Sequence, residues 1–140
     1  MPECGRQDRW VAVCRADRVL DDAGVCVHVD GVQIAVFRVG ESWYAVQNRC
    51  PHWNEMVLAR AMTGEVGGEP KIACPMHKRT FSLRSGRCLS GEVACLRTFA
   101  ARVVGGQVEI EPPDAEFAAA ERRFVAEEPR AVDRRAEARA

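Results

Sequence analysis

The chain has 140 residues, about one domain's worth, with 47% hydrophobic residues and 20 Lys+Arg balancing 20 Asp+Glu. That apolar fraction excludes a wholly disordered chain, and a neutral balance argues against a nucleic-acid binder, which carries a basic excess on one face. No stretch without a charged residue is longer than seven, as in Ala23–Val29, whereas a membrane helix needs roughly 20 apolar residues. Glu3, Arg6, Asp8 and Arg9 precede Trp10, so no apolar segment of a secretory leader is expected and the protein reads as cytoplasmic.

In chain order, Trp10–Cys14 is an apolar strand-like run, and Arg15–Gly24 is turn-like with one helical turn expected at Ala16–Leu20. Val25–Val29 and Val32–Val39 flank Asp30-Gly31, a strong two-residue hairpin signal, and Ser42–Gln47 reads as the next strand. An antiparallel meander of three or four strands is predicted before residue 48. From Asn48 to Glu92 the chain turns loop-rich, with Pro51, Pro70, Pro75 and five glycines, and only Lys71–Ala73 and Thr80–Leu83 look like strands. Loops this long inside a small domain are usually functional. The β pattern resumes at Cys95–Val104, turns at Gly105-Gly106 and returns through Gln107–Ile110. Pro112-Pro113 is expected to end the folded part. Beyond it, residues 112–140 form a charged tail, helical over Ala115–Val125 with Phe117, Phe124 and Val125, or disordered.

Seven cysteines are many for this length, and an odd number without a leader argues against a disulfide framework. In a reducing compartment a cysteine is buried as a small apolar residue or ligates a metal. Two clusters separate those uses: Cys50-Pro51-His52 and Cys74-Pro75-Met76-His77, with 21 residues between His52 and Cys74. Each places one thiolate and one imidazole, donors that soft metals prefer, in a loop between strands. A single zinc with two cysteines and two histidines is one reading, although structural zinc sites group like ligands in sequence. One donor of each type per loop suits a two-iron cluster in which one iron takes both sulfurs and the other both nitrogens. The third histidine, His28, falls in an alternating strand and reads as a packed or surface residue. Cys14 and Cys26 read as core, while Cys4, Cys88 and Cys95 have no ligand role. Trp10, Trp43 and Phe37 read as core aromatics, and Trp53 and Met56 as a docking rim or a shield beside the first loop.

On these ligands, the second-loop proline, Phe81 and Gly86, the sequence resembles the Rieske [2Fe–2S] family. The resemblance implies an all-β fold: a Rieske-type antiparallel sandwich or meander over residues 9–111, with a small cluster-binding subdomain over about 48–92. It implies Cys50 and Cys74 on one iron and His52 and His77 on the outer iron of one [2Fe–2S] cluster per chain. Glu55 and Met76 stand where respiratory members carry a bridging cysteine pair. Arg79 and Phe81 stand where high-potential members carry a serine and a tyrosine whose hydroxyls favour the reduced form. A potential near the family's low end, about −150 mV, is therefore expected, with Lys78 and Arg79 acting in the opposite direction.

The run from Pro70 through Leu83, continuing Gly86-Arg87-Cys88-Leu89-Ser90-Gly91-Glu92, is similar to the small-subunit family of assimilatory NAD(P)H-dependent nitrite reductases. Met56-Val57-Leu58-Ala59-Arg60 and Gly64-Glu65-Val66-Gly67 fit the same family. That resemblance implies an oxidoreductase subunit with a one-electron transfer or structural role. Its partner would be a large subunit carrying flavin, an iron–sulfur cluster and sirohaem, on which nitrite is reduced to ammonium. The chain has no G-x-G-x-x-G after a strand, so hydride uptake is expected on the partner. Two other readings stand beside it: a free-standing Rieske ferredoxin feeding a ring-hydroxylating oxygenase, and a zinc-stabilised, non-redox interaction module.

Overall fold

The apolar run at the start folds as strand β1 (Val11–Arg15), followed by a single 3-10 turn at Ala16–Arg18. Both belong to a computed structural model that describes residues 10–51, 55–75, 79–90 and 95–126. Strands β2 (Ala23–Val29), β3 (Val32–Val39) and β4 (Ser42–Gln47) form the predicted antiparallel meander. At its first turn Asp30 and Gly31 both take positive φ, 53° and 79°, as a type I′ hairpin requires. The register then runs unbroken from Val29↔Val32 to Ala23↔Arg38.

The middle of the chain holds more strand than its loop-rich composition predicts. β5 (Arg49–Cys50) pairs with β6 (Glu55–Met56), and a 3-10 turn follows at Leu58–Arg60. β7 (Met62–Val66), β8 (Glu69–Ala73) and β9 (Thr80–Ser82) form a three-stranded antiparallel sheet. Sequence periodicity misses β7 because it is an edge strand with Met62 exposed and Thr63, Gly64 and Glu65 behind it. Its hydrogen-bond ladder to β8, not an apolar face, holds it.

The expected continuous strand at Cys95–Val104 is instead two pieces, because the chain changes sheets at Ala100. β10 (Thr98–Phe99) pairs with β4, whereas β11 (Ala101–Val104) pairs with β12 (Gln107–Ile110). β1 stands outside the meander and pairs with β12, giving sheet orders β1-β12-β11 and β10-β4-β3-β2.

β3 explains how two cores share one sheet. Val32, Ile34 and Val36 pack with Val108 and Ile110, between the β10-β4-β3-β2 and β1-β12-β11 sheets. The alternate residues Ala35 and Phe37 pack the other way, against Cys50, Leu58, Ile72, Cys74, Phe81 and Leu83. With both faces covered, β3 reads as a near-continuous apolar run. Each fully buried aliphatic or aromatic side chain here contributes about 1.5–3 kcal/mol.

The packed unit extends past Pro112-Pro113, which corrects the expectation that folding ends there. Helix α1 (Ala115–Ala126) starts from Asp114, whose Oδ1 accepts a hydrogen bond from the Phe117 N–H at 2.7 Å. That N-cap bond, with Arg97 beside it at 2.9 Å, holds the Asp114 carboxyl below the ordinary aspartate value. Phe117 lies against Phe99 with ring centroids 5.8 Å apart, and Ala118 is buried among the valines of β2 and β3. Residues 127–140 of the expected tail lie outside the described residues. Among the described residues no helix is long and apolar enough to cross a membrane.

Candidate metal centre

The first cysteine loop is fixed at its entry by two buried amides. Gln47 is 3% exposed and Asn48 2%. The Gln47 Nε2 donates to the Arg49 carbonyl at 2.7 Å, while its Oε1 accepts from the Arg97 N–H at 2.8 Å. Asn48 closes the loop. Its Oδ1 accepts from the Ala59 N–H at 2.7 Å, its carbonyl accepts from the Leu58 N–H at 3.0 Å, and its Nδ2 donates to Gln33 Oε1 at 2.9 Å. The chain leaves at residue 48 and is tied back at 58 and 59, with Cys50 held between.

Asn48→Ala removes the acceptor for Ala59 and the amide donor for Gln33. A buried polar group left without its partner costs about 1–3 kcal/mol; the Ala59 N–H is left so, whereas Gln33 Oε1 keeps the Cys26 thiol at 3.6 Å, which places the loss at about 1–3 kcal/mol. Urea denaturation of the variant checks this; a loss below 1 kcal/mol counts against Asn48 as the closing residue.

The second loop is closed by its own cysteine. The Cys74 N–H donates to the Arg79 carbonyl at 2.8 Å, which ties the end of β8 to the start of β9. At the end of β9, Ser82 is fully buried; its hydroxyl donates to Glu69 Oε2 at 2.6 Å and accepts from the N–H groups of Arg84 and Ser85. An isolated bridge between Phe81 and Cys88 then brings the return segment alongside.

The two loops deliver Cys50 and Cys74, 0% and 1% exposed, into one core with Leu58, Ile72, Phe81, Leu83 and Leu96. Cys88, read from sequence as bland, lies in the same core, whereas Cys95 is exposed. His52 and His77, with Trp53 and Met76, lie outside the described residues. His28 is exposed on β2, in line with its expectation. Cys14 and Cys26 are half-buried, and burial pushes both thiols up, away from the thiolate form a metal takes. Phe37 is fully buried; Trp43 and Trp10 are half-buried, and each ring carries an arginine over its face, Arg38 at 5.9 Å and Arg102 at 4.1 Å.

Sequence reasoning missed Gln47 and Asn48, because a polar pair at a strand end reads as the start of a loop. It also missed Arg49, which pairs with Glu121 from α1, 72 residues away.

Two thiols from separate closed loops, meeting in a core that excludes water, are a fitting half-set of donors for a sulfur-ligated iron pair. The Rieske-like [2Fe-2S] domain family matches residues 9–111. The chain belongs to that family. The cofactor of this Rieske domain is accordingly a [2Fe–2S] cluster of the Rieske type. The Rieske domain is 32% identical over 104 residues to the small subunit of nitrite reductase (NADH) from Escherichia coli strain K12, covering 73% of this chain and 96% of that one. It is 35% identical over 99 residues to the large subunit of nitrite reductase [NAD(P)H] from Klebsiella oxytoca, where it spans only 10% of that protein's length. Among solved structures it is similar to the nitrite reductase [NAD(P)H] small subunit from Erwinia carotovora, with TM-score 0.66 and 34% identity, covering 76% of this chain and 84% of that one.

Proposed function

We propose that this Rieske protein is the small subunit of an NAD(P)H-dependent nitrite reductase and acts in the cytoplasm beside a large flavo-sirohaem subunit. The observation that carries the reading is the match over 96% of the E. coli small subunit. A bound cluster supplies one-electron transfer; hydride uptake and the reduction of nitrite to ammonium belong to the partner. In this reading Cys50 and Cys74 hold one iron by sulfur, and His52 and His77 hold the outer iron by nitrogen. Leu58, Ile72, Phe81 and Leu83 keep water from the sulfurs. Asn48 closes the first loop on itself and the Cys74 N–H closes the second, so that the ligand geometry within each changes little between redox states.

Co-expression with the large subunit tests the reading. A complex should form in which nitrite re-oxidises the reduced small-subunit cluster at the rate of turnover. A complex in which nitrite never does so refutes the electron-transfer role; failure to form the complex refutes the partnership.

Phe81 supports a second test of the expected low potential. Its ring is 1% exposed in the core that holds both cysteines. Phe81→Tyr introduces a hydroxyl there. A hydrogen bond to sulfur that favours the reduced form by about 1 kcal/mol raises a one-electron midpoint by about 40 mV. Redox titration should show a rise of that order. A midpoint that does not rise, at unchanged stability, would show that the hydroxyl does not reach a sulfur acceptor.

A further inference from the structure

Helix α1 begins at Ala115, beyond the family match at residues 9–111, yet it is tied to three separate parts of the domain. Its first turn is held to the residue that leads into β10: Arg97 reaches Asp114 at 2.9 Å and lies 4.7 Å over the Phe117 ring. Its last turns are held to the β2–β3 hairpin, where the Arg122 Nη1 donates to the Asp30 carbonyl at 2.7 Å. Between them Glu121 points at the first cysteine loop. Its Oε2 accepts from the Arg49 Nε at 2.8 Å and lies 2.6 Å from Nη2, with the two side chains 3% and 19% exposed.

Arg49 immediately precedes Cys50. A carboxylate this deeply buried is costly unless paired, and removing one member of such a pair leaves an uncompensated charge inside the protein. The other ion pairs among the described residues, Arg15–Asp17, Arg97–Asp114 and Arg102–Glu109, are far more exposed, and pairs of that kind contribute little. Glu121 is also fixed in place by a helix whose own docking does not depend on it, through Phe117, Ala118 and Arg122.

We propose that Glu121 is a positioning residue for the metal centre: through the buried pair with Arg49 it fixes the backbone entering Cys50, and its charge offsets that of Arg49 beside the site. The proposal rests on the assignment of Cys50 as a ligand. It reaches further, because it makes a segment outside the family match part of the centre. The sign of its effect follows from charge alone. Reduction adds an electron, so replacing Glu121 by a neutral residue makes the surroundings more positive and favours the reduced form.

The test uses the full chain carrying its cluster and three variants. Midpoint potential, melting temperature and the rate of bleaching by a ferrous chelator are measured for each. Glu121→Gln should raise the midpoint and speed bleaching about ten-fold, the lower end of what loss of a residue supporting a metal ligand costs. Glu121→Asp, which keeps the charge on a shorter arm, should keep the midpoint and bleach at an intermediate rate. Arg102→Ala, which breaks an exposed ion pair to Glu109 on the β11–β12 hairpin and leaves the anchors of the helix in place, should leave the midpoint and the bleaching rate unchanged. Glu121→Gln with wild-type midpoint and bleaching overturns the proposal. Should that variant fail to load iron, Glu121→Asp bleaching at the wild-type rate overturns it. A wild-type chain without iron and sulfide refutes the cluster assignment and the proposal together, whereas an iron-loaded wild type with indifferent variants refutes the proposal alone.

Discussion

Cys50→Ser and Cys74→Ser are each expected to yield a colourless protein whose iron content falls from about two per chain to near zero. The core around these residues excludes water, so no solvent ligand can take the place of a lost thiolate. A serine hydroxyl is a poor donor to this soft centre, and its alkoxide is not populated near neutral pH. His52→Ala and His77→Ala are expected to lose the visible absorption as well, because on the proposed ligation no third imidazole would be at hand for the outer iron: His28 lies exposed on β2. Cys88→Ser is the informative control. Cys88 shares the buried core with the two proposed ligands but should keep the colour and the iron, because the ligand set is complete without it. Iron and sulfide analysis with visible spectra checks all five variants. Retention of iron and colour in either histidine variant refutes the mixed ligation; a colourless wild type holding one zinc refutes the redox reading.

The family was legible because residue type carries it: a cysteine and a histidine in each of two short sequence clusters are rare by chance and chemically specific. The meander was legible for a different reason. β2, β3 and β4 are short apolar runs rich in β-branched and aromatic residues, and Asp30-Gly31 supplies the positive φ values that the tight turn needs. What failed to show in the sequence was whatever depends on distant partners. β7 turns Met62 to solvent and has Thr63, Gly64 and Glu65 behind it, so its ladder to β8 is what marks it as a strand. β5 and β6 are two residues each, below any period. The break at Ala100 exists because Phe99 belongs to one sheet and Ala101 to the other. Asn48 and Glu121 are polar residues whose burial, and so whose importance, arises only when residues far along the chain close over them.

Gly86→Ala is expected to destabilise the protein by about 3–5 kcal/mol, at the upper end of single-residue effects. Two costs add. Gly86 has φ of +78°, where a residue with a Cβ is strained by about 1 kcal/mol or more. In addition, a Cβ there would lie 2.1 Å from the Leu96 carbonyl oxygen and 3.0 Å from its carbon, backbone atoms that cannot swing aside. The two segments are also tied at this crossing: the Leu96 N–H donates to the Gly86 carbonyl at 2.7 Å, and the Gly86 N–H donates to the Ser82 carbonyl at 2.8 Å. Relieving the contact therefore breaks at least one of those bonds and draws Leu96 out of the core that holds Cys50 and Cys74. Gly105→Ala separates the two costs, because Gly105 has φ of +58° but open space around its missing Cβ. It should lose only the strain, about 1 kcal/mol. Thermal and urea unfolding of both variants gives the comparison. Equal losses at the two glycines would mean that the backbone crossing at Leu96 yields freely, and that the wall it forms beside the metal centre is soft; a larger loss at Gly86, with faster release of iron, places that wall among the elements that keep the cluster in the domain.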